Sequence, residues 1–271
     1  MALFFSAKGM NDPVDFLTVV ILGVVEGISE FLPISSTGHL MLTSHLLGLT
    51  PTEFLKSFAI AIQGGAILSV LVLYWRKLLV DFAVMKRIIA AFIPTGILGF
   101  ALYKIIKGYL LGSNCVVLWS LLIGGVLLVA FELRYRGKEG AVSELAGISY
   151  KQSFLIGLFQ AIAVIPGVSR AGATIIGGLM LGLRREVIVE FSFLLAVPTM
   201  LAATGYDLLK NAPQFSLDQL HLLVVGSVSS FVVALLSIKF LLHFIRTHTF
   251  IPFGIYRIVF ALSRFTFFVA S

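Results

Sequence analysis

Glu26 and Glu30 stand four residues apart in the apolar segment Ile21–Leu32, a spacing that puts two carboxylates one helical turn apart on the same face. Two negative charges this close in apolar surroundings repel each other and resist desolvation, so a proton or a cation must lie between them. A pair of acids exposed at a membrane surface is the plainer alternative, but neither glutamate has a basic neighbour within a turn. Oxygen-only donors of this charge suit Mg2+ or Ca2+ rather than zinc.

The run Pro33-Ile34-Ser35-Ser36-Thr37-Gly38-His39 follows directly, with three hydroxyls, a glycine and an imidazole behind a helix-ending proline. Such a break exposes backbone N–H groups and a helix N-terminus, both suited to a phosphate. An N-cap with incidental hydroxyls would account for Ser35 or Thr37 singly. His39, beside a serine and two glutamates, is a candidate acid or base near neutral pH. Whether Ser36 attacks with His39 taking its proton, or His39 activates water while Ser36 only binds, is open at this level.

A second polar run, Pro166-Gly167-Val168-Ser169-Arg170-Ala171-Gly172, holds the one arginine deep inside the apolar stretch Phe154–Leu183. An intramembrane cation that cannot easily snorkel needs an anionic partner. Glu26 or Glu30 could be that partner; bidentate recognition of phosphate by the guanidinium is the sharper reading. Thr174, four residues on, shares the helical face of Arg170. His221, His243 and His248 show no ligand-like spacing and are read as interface and lipid-facing residues.

These groups need elements to hold them, and composition says what kind. Of 271 residues, 59% are hydrophobic and 12% charged, the mean hydropathy is +1.04, and a soluble domain would carry about 25% charged residues. The chain therefore reads as a membrane protein. Its formal charge of +7 does not point to nucleic acid, because the cations gather in turns between apolar segments, as topology signals and contacts to anionic lipid do. Cys115 is the single cysteine, so no disulfide forms within one chain. Met1–Met10 lacks the apolar core of a cleaved signal peptide and is read as a short leader.

A bilayer core of about 30 Å needs roughly 20 apolar residues per helix. Six stretches approach that length: Phe58–Trp75, Ile88–Tyr103, Val116–Phe131, Phe191–Leu209, Leu220–Leu242 and Ile251–Val269. Two more, Phe16–Leu49 and Phe154–Leu183, are broken near the middle by the polar runs. Their halves of about 10 to 14 residues are too short to span, which is the pattern of a re-entrant hairpin. Irregular backbone at membrane depth survives only against protein or a water-filled cavity, so two breaks predict a polar cavity.

Setting residue n against n+134 aligns the broken stretches without a gap, with identities at Gly23/Gly157, Ile28/Ile162, Ser35/Ser169, Gly38/Gly172, Leu47/Leu181, Gly48/Gly182 and Leu49/Leu183. The expected fold is thus an all-α polytopic membrane protein in one integral membrane domain, residues 1–271. It contains an inverted repeat (approximately 14–135 and 150–269), each half a re-entrant hairpin plus three transmembrane helices, with the site near the midplane. By parity Arg76, Lys77, Lys86, Arg87, Arg134, Arg136, Lys138, Lys151, Arg184, Arg185 and Arg246 share one side. The other side holds fewer cations: Lys56, Lys104, Lys107, Lys210 and Arg264. The positive-inside rule puts the first set in the cytoplasm, and the first hairpin then enters from outside.

The strings Glu26-Gly27-Ile28-Ser29-Glu30-Phe31-Leu32-Pro33-Ile34-Ser35-Ser36-Thr37-Gly38-His39 and Pro166-Gly167-Val168-Ser169-Arg170-Ala171-Gly172-Ala173-Thr174 closely resemble the two signatures of the bacterial undecaprenyl-diphosphate phosphatase family. Phe191-Ser192-Phe193-Leu194-Leu195-Ala196-Val197-Pro198 and Phe250-Ile251-Pro252-Phe253-Gly254-Ile255-Tyr256-Arg257 extend the likeness over nearly the whole chain. The resemblance implies an enzyme of the bacterial cytoplasmic membrane that hydrolyses a polyprenyl diphosphate, recycles the lipid carrier of cell-wall synthesis and confers bacitracin resistance. By position it implies catalytic or metal roles for Glu26 and Glu30, active-site roles for Ser36 and His39, and diphosphate binding by Ser169, Arg170 and Thr174. Ser35, Thr37, Gly38 and Gly167 are expected to complete the binding surface. Two positions depart from the family: Ala171 stands where a serine is usual, and Phe58-Ala59, near Gln63, where an acid often follows the phenylalanine. A secondary transporter or a non-catalytic lipid receptor would share the fold, but the receptor leaves Glu26, Glu30 and His39 without a task. Oligomeric state is open, a homodimer included.

Overall fold

The computed structural model describes residues 14–50, 52–105, 113–135, 142–211 and 217–269. Met1–Met10, Lys107, Arg136 and Lys138 lie outside the described residues, as do the side chains of Lys104 and Lys210. Among the described residues the chain forms ten α-helices: α1 (Phe16–Ser29), α2 (Ser36–Leu46), α3 (Glu53–Leu79), α4 (Phe82–Ile105), α5 (Asn114–Arg134), α6 (Tyr150–Ile162), α7 (Arg170–Met180), α8 (Arg185–Asn211), α9 (Leu217–Phe244) and α10 (Ile251–Val269). The starts are set by local chemistry. Asp15 accepts from the Thr18 amide at 2.8 Å to open α1, and Ser149 with Gln152 forms a capping box at α6, each satisfying amides that the first helical turn leaves without partners.

Among the described residues, four helices contain segments long and apolar enough to cross a membrane: Phe54–Leu79, Phe82–Leu102, Asn114–Arg134 and Leu220–Phe244. The chain is therefore a multi-pass membrane protein. The other two stretches expected to span fall on α8 and α10, helices of 27 and 19 residues.

The short helices fall where the polar runs predicted. α2 and α7 occupy residues 36–46 and 170–180, in register at an offset of 134, and the chain enters each through a serine with positive φ: 75° at Ser35 and 34° at Ser169. These are the only non-glycine residues with positive φ among the described residues. Gly48 and Gly182, also 134 apart, leave the two helices at φ 68° and 84°, a left-handed conformation that costs glycine little.

The halves interlock. α1 packs on α9 and, correspondingly, α6 packs on α4; α3 lies against α9 and α4 against α8; α5 pairs with α10 and α3 with α8. Small residues permit the close approaches, as they do between helices in lipid. A Cβ at Gly23 would lie 2.5 Å from the Gly226 carbonyl oxygen, and one at Gly157 would lie 2.0 Å from that of Ala91. At one end of the bundle Arg185 grips Glu132 with bonds of 2.7 and 2.8 Å, Lys77 pairs with Glu190, and Arg87 donates to the Ile148 carbonyl. These contacts gather Lys77, Arg87 and Arg185, three of the cations assigned to one side by parity, at one end.

Because Gly157 is in near-contact with the α4 backbone, Gly157→Ala is expected to force α4 and α6 apart and to destabilise the fold by roughly 1–3 kcal/mol, the usual range for overpacking. A drop of several degrees in the thermal unfolding midpoint in detergent is the measurement; an unchanged midpoint would refute the packing described.

Candidate active site

The two breaks meet. Ser35, Ser36 and Thr37 from the first, and Pro166, Gly167, Ser169 and Arg170 from the second, line a cavity of about 160 Å³ closed by Glu30, by Gln63 of α3 and by Met200 of α8. α2 and α7 begin on this cavity, so their first-turn amides, which have no partners within the helix, border it from both halves. The capping is unequal. The Ser169 hydroxyl accepts from the Gly172 amide at 3.1 Å, whereas the Ser35 side chain makes no capping bond.

Glu30 is the hub. One carboxylate oxygen accepts from the Ser36 hydroxyl at 2.5 Å, and the other accepts from Nη2 of Arg170 at 3.3 Å. The carboxylate and guanidinium side chains are 6% and 14% exposed, so the pair sits largely outside solvent, where an unpartnered charge would be costly. Arg170 is held from behind. Its Nη1 donates to the Ser192 carbonyl at 2.9 Å, Ser192 Oγ lies 2.6 Å from Thr174 Oγ1, and Thr174 also faces the carbonyls of Arg170 and Ala171 at 3.0 Å. Arg170 Nε is buried without a partner.

Several expected site residues lie behind the cavity wall. Glu26 is fully buried on α1, both its oxygens lack a hydrogen-bond partner, and it feels the charges of Glu30 and Arg170. His39 corrects the expectation of a base serving Ser36. Its Nδ1 lies 2.8 Å from the Ser35 carbonyl, an acceptor that requires the ring to donate. Its Nε2 lies 2.7 Å from the Tyr256 hydroxyl, and its ring stacks on Phe260 at 4.4 Å. Both nitrogens are thereby engaged away from Ser36, whose hydroxyl goes to Glu30. Gly38 is buried near Leu121 and Val117 of α5 and does not line the cavity, which corrects its place on the binding surface. Thr174 is likewise a buttress for Arg170 through Ser192 and not part of the lining. Ala171 is fully buried among apolar residues, so its departure from the family pattern removes no hydroxyl from the cavity.

Sequence reading missed Ser192, Gln63 and Arg257. The first acts through its main chain, which no side-chain pattern announces. Arg257 did carry a signal: it is a cation inside the apolar segment Ile251–Val269, the same anomaly that singled out Arg170. It is 2% exposed and donates to carbonyls of both breaks.

Membrane-length helices around a polar cavity lined by both breaks define a multi-pass membrane protein with a polar internal site. The chain belongs to the family described as bacitracin resistance protein BacA, whose model matches residues 19–263. It is 53% identical over 250 residues to the undecaprenyl-diphosphatase of Aquifex aeolicus, covering 92% of this chain and 97% of that protein. It is 55% identical over 243 residues to that of a Sulfurihydrogenibium species, covering 90% and 95%. Against the undecaprenyl-diphosphatase of Campylobacter jejuni the identity is 48% over 244 residues, covering 90% and 91%.

If Thr174 is a buttress, Thr174→Val leaves the fully buried Ser192 hydroxyl without its partner and should cost about 1–3 kcal/mol of stability. Thr174→Ser, which keeps the hydroxyl, should cost less. Thermal unfolding of the two variants side by side decides it; equal midpoints would remove the buttress.

Proposed function

We propose that this protein is a phosphatase that hydrolyses undecaprenyl diphosphate to undecaprenyl phosphate and inorganic phosphate, returning the lipid carrier to peptidoglycan synthesis and conferring resistance to bacitracin. The observation that carries the mechanism is Glu30 standing between a serine hydroxyl and an arginine at the meeting point of two helix N-termini.

The isoprenoid tail stays in the bilayer and the diphosphate enters the cavity. Arg170 exchanges its long contact with Glu30 for phosphate oxygens, which its planar fork binds well, and the first-turn amides of α2 and α7 take up further oxygens. Ser36 Oγ attacks the terminal phosphorus as Glu30 accepts its proton across the existing 2.5 Å hydrogen bond. Undecaprenyl phosphate leaves with that proton, and Ser36 carries the phosphoryl group. Glu30, ionised again, takes a proton from the water that attacks the phosphoserine and returns it to Ser36 Oγ as inorganic phosphate leaves. Arg170 and the helix amides stabilise the charge that develops in both steps. His39 positions Ser35 through its main-chain carbonyl and is not the base.

Glu26 and Glu30 fit a divalent cation, Mg2+ or Ca2+, because both Glu26 oxygens are buried without a hydrogen-bond partner. No cluster of three or more His, Cys, Asp or Glu is found among the described residues. Two carboxylates completed by substrate phosphate oxygens would be the donor set, a common way of holding Mg2+. Bound there, the cation would neutralise phosphate charge. The positive-inside argument places the cation-rich end in the cytoplasm of a bacterial inner membrane. An inverted repeat then brings the first hairpin in from the periplasmic side, where the cavity opens.

The test is phosphate release from a C55 polyprenyl diphosphate in detergent, with and without EDTA. The parent chain should release phosphate and EDTA should suppress it. Ser36→Ala, Glu30→Gln and Arg170→Ala should each fall by about 10²-fold or more, since each removes a nucleophile, a base or an oxyanion partner. Full activity in Ser36→Ala would exclude the phosphoserine route, and a folded parent that binds the lipid but releases no phosphate would point to a transporter or receptor.

A further inference from the structure

Among the described residues, every hydrogen bond of the buried Arg257 guanidinium goes to a main-chain carbonyl. Nη1 donates to Pro33 at 3.3 Å, Nη2 to Gly167 at 3.1 Å and to Ser120 at 3.0 Å, and Nε to Leu121 at 3.3 Å. Pro33 and Gly167 are 134 residues apart and occupy the same position in the two broken hairpins. Pro33 precedes Ser36 by three residues, and Gly167 precedes Arg170 by three. One guanidinium therefore pins the turn that carries the attacking hydroxyl and the turn that carries the phosphate-binding arginine, by equivalent carbonyls, and fastens both to α5.

Neighbouring residues make room for this. A Cβ at Gly124 of α5 would lie 2.2 Å from Arg257 Nη2, and one at Gly125 would lie 3.0 Å from the arginine's own Cβ. The preceding residue of α10, Tyr256, meets His39 at 2.7 Å, and His39 in turn holds the Ser35 carbonyl. Consecutive residues of one helix turn thus reach the first break by two routes and the second by one.

We infer that Arg257 is a positioning residue that sets the distance between Ser36 and Arg170, an inference that rests on the phosphatase reading above. Its planar, five-donor fork can serve two breaks and α5 together, which the single ammonium of lysine cannot. Loosening the clamp leaves Arg170, Ser169 and the α7 amides to bind the diphosphate but lets the nucleophile drift, and a misplacement of about 1 Å can cost 10²-fold in rate.

The experiment measures kcat and KM for phosphate release from C55 polyprenyl diphosphate by the purified full chain, Arg257→Lys, Gly124→Ala and the double variant, with thermal unfolding in parallel. Both single variants are expected to lose about 30- to 100-fold in kcat with KM held within about threefold, the mark of a contribution made in the transition state. The double variant should match Arg257→Lys within about twofold, because the added methyl then has no Nη2 to displace. A merely structural role would lower stability and leave kcat per folded molecule unchanged, which overturns the inference. So would a rise in KM at constant kcat, or losses that multiply in the double variant. Should Arg257→Lys fail to fold, Gly124→Ala decides alone by the same split. An inactive parent would overturn the phosphatase reading and this inference together, whereas an active parent with undiminished variants overturns the inference alone.

Discussion

A helix broken inside an apolar medium leaves amides and carbonyls that water cannot reach, and each must find a partner. This chain breaks two helices at the same place. The carbonyls that lose their helical donors at Pro33 and Gly167 are met by Arg257. α2 and α7 start on a cavity, on the side of the breaks that Arg257 leaves free. With the cation against the carbonyls and the cavity against the helix starts, the breaks become the polar site proposed above. Everything else in the site is arranged around that division.

Charge follows the same logic. Glu26, Glu30, Arg170 and Arg257 place two formal negative and two positive charges in the interior of the bundle. Arg257 is committed to carbonyls and cannot be spent on a ligand. Arg170 is shared between Glu30 and the Ser192 carbonyl, a 3.3 Å contact on the acid side that a doubly charged phosphate can displace. Glu26, with two orphaned oxygens, has no internal cation of its own. A proton or a divalent cation shared with Glu30 would answer that charge, which is the arrangement proposed above.

Much of this was legible in the residues. Apolar length gave the spans, the polar runs gave the breaks, and the offset of 134 aligned the helix starts at Ser36 and Arg170 to the residue. The need of Arg170 for an anionic partner pointed to Glu26 or Glu30, and Glu30 is the one it meets, but other contacts between distant segments were not legible. His39, beside a serine and two glutamates in the sequence, was a candidate acid or base. The ring instead stacks on Phe260, 221 positions away, and spends its nitrogens on Ser35 and Tyr256. Thr174 was correctly placed beside Arg170, but its hydroxyl turns inward to Ser192. Arg257 was readable by the rule that exposed Arg170. What no rule supplies is the direction of an arginine, toward main chain in one case and toward a carboxylate in the other.

The offset also shows how one scaffold was made to serve unlike chemistry. The residues that bend the chain are kept in both halves: Ser35 and Ser169 with positive φ, Gly48 and Gly182 at the helix exits. The residues to which we assign the reaction are not. Ser36 stands opposite Arg170 in the register, Glu30 opposite Val164, and Glu26 opposite Gln160. Gln160 is 2% exposed, donates to Thr95 at 3.3 Å and keeps its own carbonyl oxygen without a partner, a neutral side chain at the position where the other half holds an acid. Had both halves kept the glutamates, the cavity would gather four carboxylates around a phosphate; had both kept the arginine, no hydroxyl would stand at the helix start to attack. Matching backbones bring two N-termini to one point, and unmatched side chains at the same register divide binding from attack across it.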